Sequence, residues 1–204
     1  MLEQASQPEK ALLLFGRYGE RLNRLTLASN SLEKWLLPFT QVLPTANSFP
    51  RLNILYVSSG KKSQVPHEFV QWLVTVAPDR PQPSGSTSSE DTCTETSQQA
   101  IKTSTILARL RILLLYNVTL QPQDWELLIK AIDLSVLEDL HLHSTNFSST
   151  QLDLLLERIA AADAKSVSLK LLQIGSTELL VDAERPALQT RILKAAPQMI
   201  IVGL

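Results

Sequence analysis

The chain has 204 residues and a formal charge of −1 from 19 basic and 20 acidic side chains, so it can bury a sizeable core but has no general attraction for nucleic acid or anionic lipid. Its one cysteine, Cys93, excludes an intramolecular disulfide, and no stretch approaches the ~18 apolar residues of a membrane span. The first ten residues, M-L-E-Q-A-S-Q-P-E-K, lack the basic segment and apolar run of a secretory leader, so the expectation is an intracellular protein, cytoplasmic or nuclear.

In chain order, residues 8–19 read as a short helix with Pro8 in its first turn and a glycine stop at Gly16 and Gly19. A strand follows at 24–28, then Asn30 and Glu33 at capping-box spacing ahead of a helix over 31–45. Leu52, Leu55 and Val57 repeat the strand phrase, Ser58 to Lys62 reads as a solvated basic loop, and 65–77 as a helix holding Phe69, Trp72 and Leu73. From Pro78 to Ser97 there is no aliphatic or aromatic residue, so this stretch cannot offset the entropy of ordering and is expected to be disordered. The division is therefore an N-terminal block, 1–77, an insertion, 78–99, and a C-terminal block of the same array, 100–204.

In the C-terminal block, Leu110, Leu113 and Leu115 form a strand phrase, and Pro122 opens a helix with Trp125, Leu128, Ile129 and Ile132 on one face. Leu137, Leu140 and Leu142 make the next strand. Ser148 and Gln151 have capping-box spacing before the helix carrying Leu152, Leu155, Leu156 and Ile159. Leu169, Leu172 and Ile174 follow, then a helix over 186–196 and a short strand over 199–202.

One spacing recurs through these elements. The template L-x-x-L-x-L-x-x-N-x-L is filled by Leu22, Leu25, Leu27, Asn30 and Leu32, and returns at 110–120, 137–147 and 169–179 with Val118, Thr145 and Thr177 at the asparagine position. First leucines lie 30, 27 and 32 residues apart, except that 58 residues separate Leu52 from Leu110, where the insertion falls. This is the pattern of a leucine-rich repeat array, so the expected fold is α/β: a curved solenoid of irregular repeats, with a parallel sheet on the concave face and helices on the convex one. The chain resembles the ribonuclease-inhibitor-like class, and its second-block phrases look like those of large fungal families of such proteins. That class includes F-box adaptors, enzyme inhibitors and regulators of small GTPases, although no F-box-like module precedes the first repeat. Asn30, at the strand-to-helix turn, is expected to bond backbone groups that the turn leaves unpaired.

Strand alternation points Leu25 and Leu27 inward and their neighbours outward. The outward residues Thr26, Tyr56, Leu114, His141 and Gln173 then form one row, and Ala28, Ser58, Tyr116, His143 and Gly175 another. Tyr56, Leu114, Tyr116, His141, His143 and Gln173 are the expected partner-binding residues.

No other chemistry is expected. His141 and His143 can face one ion, but two ligands are too few for a tight metal site. The Ser59-Gly-Lys-Lys-Ser63 segment lacks the phosphate-loop frame, and Cys93 has no fixed histidine partner. Trp35, Trp72 and Trp125 belong to packed helical faces, and Glu126, Glu138, Asp139, Glu157 and Asp163 are scattered. Ser88 and Thr92 precede Asp91 and Glu95 by three positions, a context for an acidophilic kinase, although a passive linker is the simpler reading. The reading is a non-catalytic module, adaptor-like, that binds a protein partner through its concave face, without metal or cofactor and with no nucleic acid, membrane or small-molecule ligand expected. The alternative is a structural piece of a longer array with no binding function of its own.

Overall fold

Apolar residues at every second position place two rows of side chains on one face of a single sheet. Strands β1 (Arg24–Ala28), β2 (Ile54–Gln64), β3 (Ile112–Thr119), β4 (Asp139–His143), β5 (Leu171–Gly175) and β6 (Ile200–Val202) lie side by side in chain order. All neighbours are parallel. The structure, a computed structural model, describes residues 19–42, 49–75, 105–162, 166–175 and 185–202. In register, Leu25, Leu55, Leu113, Leu140 and Leu172 form one inward row, and Leu27, Val57, Leu115, Leu142 and Ile174 the next. All but Leu27 are buried.

Parallel neighbours require crossovers, and here each is helical: α1 (Leu32–Val42), α2 (His67–Val74), α3 (Pro122–Ala131), α4 (Ser149–Ala161) and α5 (Arg185–Ala195). Each helix packs on the next in chain order. Their apolar stripes close the core over the inward rows, with Leu32 and Leu36 from α1, Phe69 and Leu73 from α2, Trp125 and Leu128 from α3, Leu152 and Leu155 from α4, and Leu188 and Ile192 from α5. Trp72 packs between Phe49, edge-on at 5.9 Å, and Phe69, stacked at 5.7 Å. Trp72 and Trp125 are thus core residues, and Trp35 is half-buried on α1.

Helix ends follow local chemistry. Helix α2 begins at His67 rather than at 65, because Pro66 is extended (φ −61°, ψ 141°) and a proline disfavours helical geometry in the residue before it. Pro122 occupies the first position of α3. At α4 the Ser148 N–H donates to Gln151 Oε1 at 2.9 Å, and the Ser148 hydroxyl donates to the same oxygen. The Arg158 guanidinium, on α4, donates to the Ile132 carbonyl at 3.0 Å and to that of Ile129, closing the end of α3. The helix expected before Gly19, the end of the one expected over 31–45, and the insertion 78–99 lie outside the described residues.

Ser58 to Lys62 is not a loop. β2 pairs with β3 at Ser58↔Tyr116 and again at Ser63↔Val118, which leaves Ser59, Gly60, Lys61 and Lys62 opposite Asn117 alone. The strand resumes because β3 runs on to Thr119, whose carbonyl accepts the Val65 N–H at 2.9 Å. A wide bulge is therefore favoured over a free end. Asn117, in the left-handed region at φ 54°, donates from Nδ2 to the Ser59 carbonyl at 3.1 Å. A Cβ at Gly60 would lie 2.1 Å from Oδ1 of Asn30, so the exposed Asn30 side chain would have to move aside to admit one.

At the strand starts, Arg111 Nε donates to Glu138 Oε1 at 2.7 Å and Lys170 Nζ to Glu138 Oε2 at 3.2 Å, an ion ladder across three consecutive units. Hydrogen bonds from Arg111 and then Lys170 lower the Glu138 carboxyl from 4.5 to about 2. Because the folded value is depressed, the ladder's contribution is fully present above pH 4.5 and is lost as pH falls toward 2. Urea midpoints of wild type and Glu138→Gln should therefore differ at pH 7 and converge as pH approaches 2. A constant gap would contradict the ladder.

Candidate functional site

The face of the sheet away from the helices carries the other side of each strand's alternation. Register places Arg24, Ile54, Ile112, Asp139, Leu171 and Ile200 in one row, and Thr26, Tyr56, Leu114, His141, Gln173 and Val202 in the second. Ala28, Ser58, Tyr116, His143 and Gly175 form the third. The six expected partner-binding residues therefore share two adjacent rows over four neighbouring strands. Tyr56, Leu114, His141, His143 and Gln173 are half-buried, and Tyr116 is 39% exposed.

Neighbouring side chains fix one another across the strands. The Tyr116 and His143 rings stack with centroids 4.7 Å apart and planes within 12°. On its other side His143 lies against Gly175, where a Cβ would stand 2.6 Å from His143 Cδ2. The glycine leaves room for the ring to lie flat. His143 Nδ1 is 2.9 Å from Ser144 Oγ, and Ser144 holds a left-handed backbone at φ 52°. In the second row His141 Nδ1 donates to Gln173 Oε1 at 2.6 Å. With rotamers held in advance, the face has less side-chain entropy to lose on contact with a partner.

Asn146, not Thr145 or Asn30, is the asparagine that satisfies a turn. Its Oδ1 accepts the Leu120 N–H and the Trp125 Nε1–H, each at 3.0 Å, and its Nδ2 donates to the Leu120 carbonyl at 2.7 Å. It ties the end of one unit to the helix of that unit from the next unit's turn. Asn30 is exposed, and its side chain lies against Gly60. The repeat template places its asparagine one position too early here, since Thr145 takes the template site and bonds only locally, accepting the Phe147 N–H at 3.4 Å.

Spacing also gave no sign of a polar contact between α2 and α3. His67 Nδ1 lies 2.5 Å from Asp124 Oδ1, and Gln71 Nε2 is 3.2 Å from His67 Nε2. Asp124 is fully buried in the first turn of α3, where a carboxylate complements the helix dipole. The two residues are 57 positions apart and meet only because α2 and α3 are neighbours. Asp124 Oδ2 has no hydrogen-bond partner among the described residues.

Of the scattered carboxylates, Glu126 and Glu157 line, with Asp153, a shallow hollow between α3 and α4. Asp163 lies outside the described residues. No group of three or more His, Cys, Asp or Glu side chains with metal-binding placement occurs among the described residues, and no helix there is long and apolar enough to cross a membrane. In comparison with known proteins, the chain matches no family model and no curated sequence.

Proposed function

We propose that the chain is a leucine-rich repeat solenoid of the ribonuclease-inhibitor-like kind, and that it acts as a non-catalytic, adaptor-like module whose concave sheet face docks a protein partner. The observation that carries this reading is the Tyr116–His143 stack seated on Gly175, a pre-set aromatic platform on the two middle strands of the third outward row, with Tyr116 exposed and His143 half-buried. Aromatic side chains that are large, rigid and amphipathic are the groups that concentrate binding energy at interfaces. Six parallel strands in chain order, joined by five helices and carrying an apolar residue at each inward position, support the solenoid. Helices are wider than strands spaced ~4.8 Å apart, so such a stack curves with its sheet inside.

A photo-crosslinking residue in place of Tyr116 tests the reading. It should join the chain covalently to its partner in the native cell, whereas the same group in place of Lys130 on the exposed side of α3 should not. Crosslinks from position 130 alone would move the docking face to the helices. A second reading, a structural piece of a longer array, is favoured by β6, which among the described residues pairs on one side alone, with β5. A native polypeptide much heavier than 22.7 kDa, with no crosslink at position 116, would favour it.

A further inference from the structure

We infer that two copies of the chain join through β6, paired antiparallel about a two-fold axis at Ile201, so that the partner on this edge is a second copy. The inference goes beyond the docking face proposed above and does not depend on it. Among the described residues β6 pairs on one side alone, with β5. The Ile200 N–H donates to the Lys170 carbonyl at 2.7 Å. Successive residues of a strand direct their N–H and C=O groups to opposite sides, so those of Ile201 face the edge away from β5. In an antiparallel ladder two residues opposite each other exchange both bonds. The donor and the acceptor of Ile201 are therefore met together by Ile201 of a second copy.

Side chains fit the same axis. Pairing Ile201 with its copy sets Ile200 of each chain opposite Val202 of the other, apolar against apolar on the outward face. Ile200 is 63% and Val202 44% exposed, whereas Ile54, Ile112 and Leu171 in the row of Ile200, each flanked by strands on both sides, are half-buried. The copy supplies the flank that β6 lacks. The opposite edge differs in character, since β1 turns the exposed Arg24 and Thr26 outward, and a charged residue of this kind guards an edge strand against pairing. β6 has no such guard, and pairing it head to tail on β1 sets its two apolar side chains beside Arg24 and Thr26. The helix layer at this edge is compatible with a two-fold contact. Arg191, Lys194 and Ala195 line a groove toward α4, where Arg191 pairs with Asp153. Gln189 and Leu193, four residues apart and exposed, lie on the other side of α5 and bring no like charges together across the axis.

Sedimentation velocity of the full chain over about 1–500 µM, the range in which a small interface associates, should show the mass rising from 22.7 kDa toward twice that value. Ile200→Lys combined with Val202→Lys should weaken association about 10-fold or more, while melting of the dilute protein stays unchanged because both side chains are exposed. Exchange of the Ile201 amide should slow as concentration rises. The register is read by cross-linking in a Cys93→Ser background: Ile200→Cys mixed with Val202→Cys should oxidise to a disulfide-linked dimer, and neither variant alone should. A monomer at every concentration, a dimer indifferent to the two lysines, or cross-linking of either cysteine variant with itself overturns the inference. So does a series of species larger than a dimer, which would show head-to-tail growth. Slow exchange of Ile201 in the dilute monomer would place another segment of the chain on the edge and overturn it as well.

Discussion

Leu140→Ala should lower unfolding free energy by about 2–5 kcal/mol, while His141→Ala, one residue away on the same strand, should cost about 1 kcal/mol or less. Leu140 is 2% exposed and sits in the inward row between Leu113 and Leu172, beneath the helical layer. Removing its isobutyl group leaves a cavity that neighbours held in parallel ladders on both sides cannot collapse to fill. His141 points the other way, and its loss removes one half-buried hydrogen bond to Gln173. Denaturant titrations of the two variants measure the difference directly. Equal losses would mean that the inward and outward faces of β4 have been exchanged.

The rows and strand order were legible in the sequence because both follow from local periodicity. Alternation around Leu25, Leu55, Leu113, Leu140 and Leu172 fixes which side chains face the helices, and a recurring spacing fixes that the strands align in register. That same geometry places Tyr116 beside His143. What the sequence hid depends on the meeting of residues distant in the chain. Ser58 to Lys62 reads as a loop because serine, glycine and lysine are turn formers. It becomes part of the sheet because β3 extends far enough to give Ser63 and Gln64 partners. Asn146 was missed because the template fixes the asparagine by count, whereas the turn takes whichever amide reaches Leu120 and Trp125. The His67–Asp124 contact joins two helix starts, and no periodicity within either helix encodes it.

The proposed docking face is tested most directly by capture of a protein partner with Tyr116→Ala and His143→Ala combined. Those two rings contribute little to the core, so stacking accounts for roughly 0.5–1.5 kcal/mol of stability, and melting should fall only slightly. Capture of the partner should be abolished, because the double change removes the aromatic platform on the two middle strands of the third outward row. Tyr116→Phe keeps the ring and should retain capture. Lys130→Ala and Lys194→Ala, exposed on α3 and α5, serve as controls that should leave it intact. Arg158 is not a suitable control, since its guanidinium closes the end of α3. Loss of capture in the ring double variant with circular dichroism unchanged is the predicted result, and undiminished capture by a folded double variant would contradict the account.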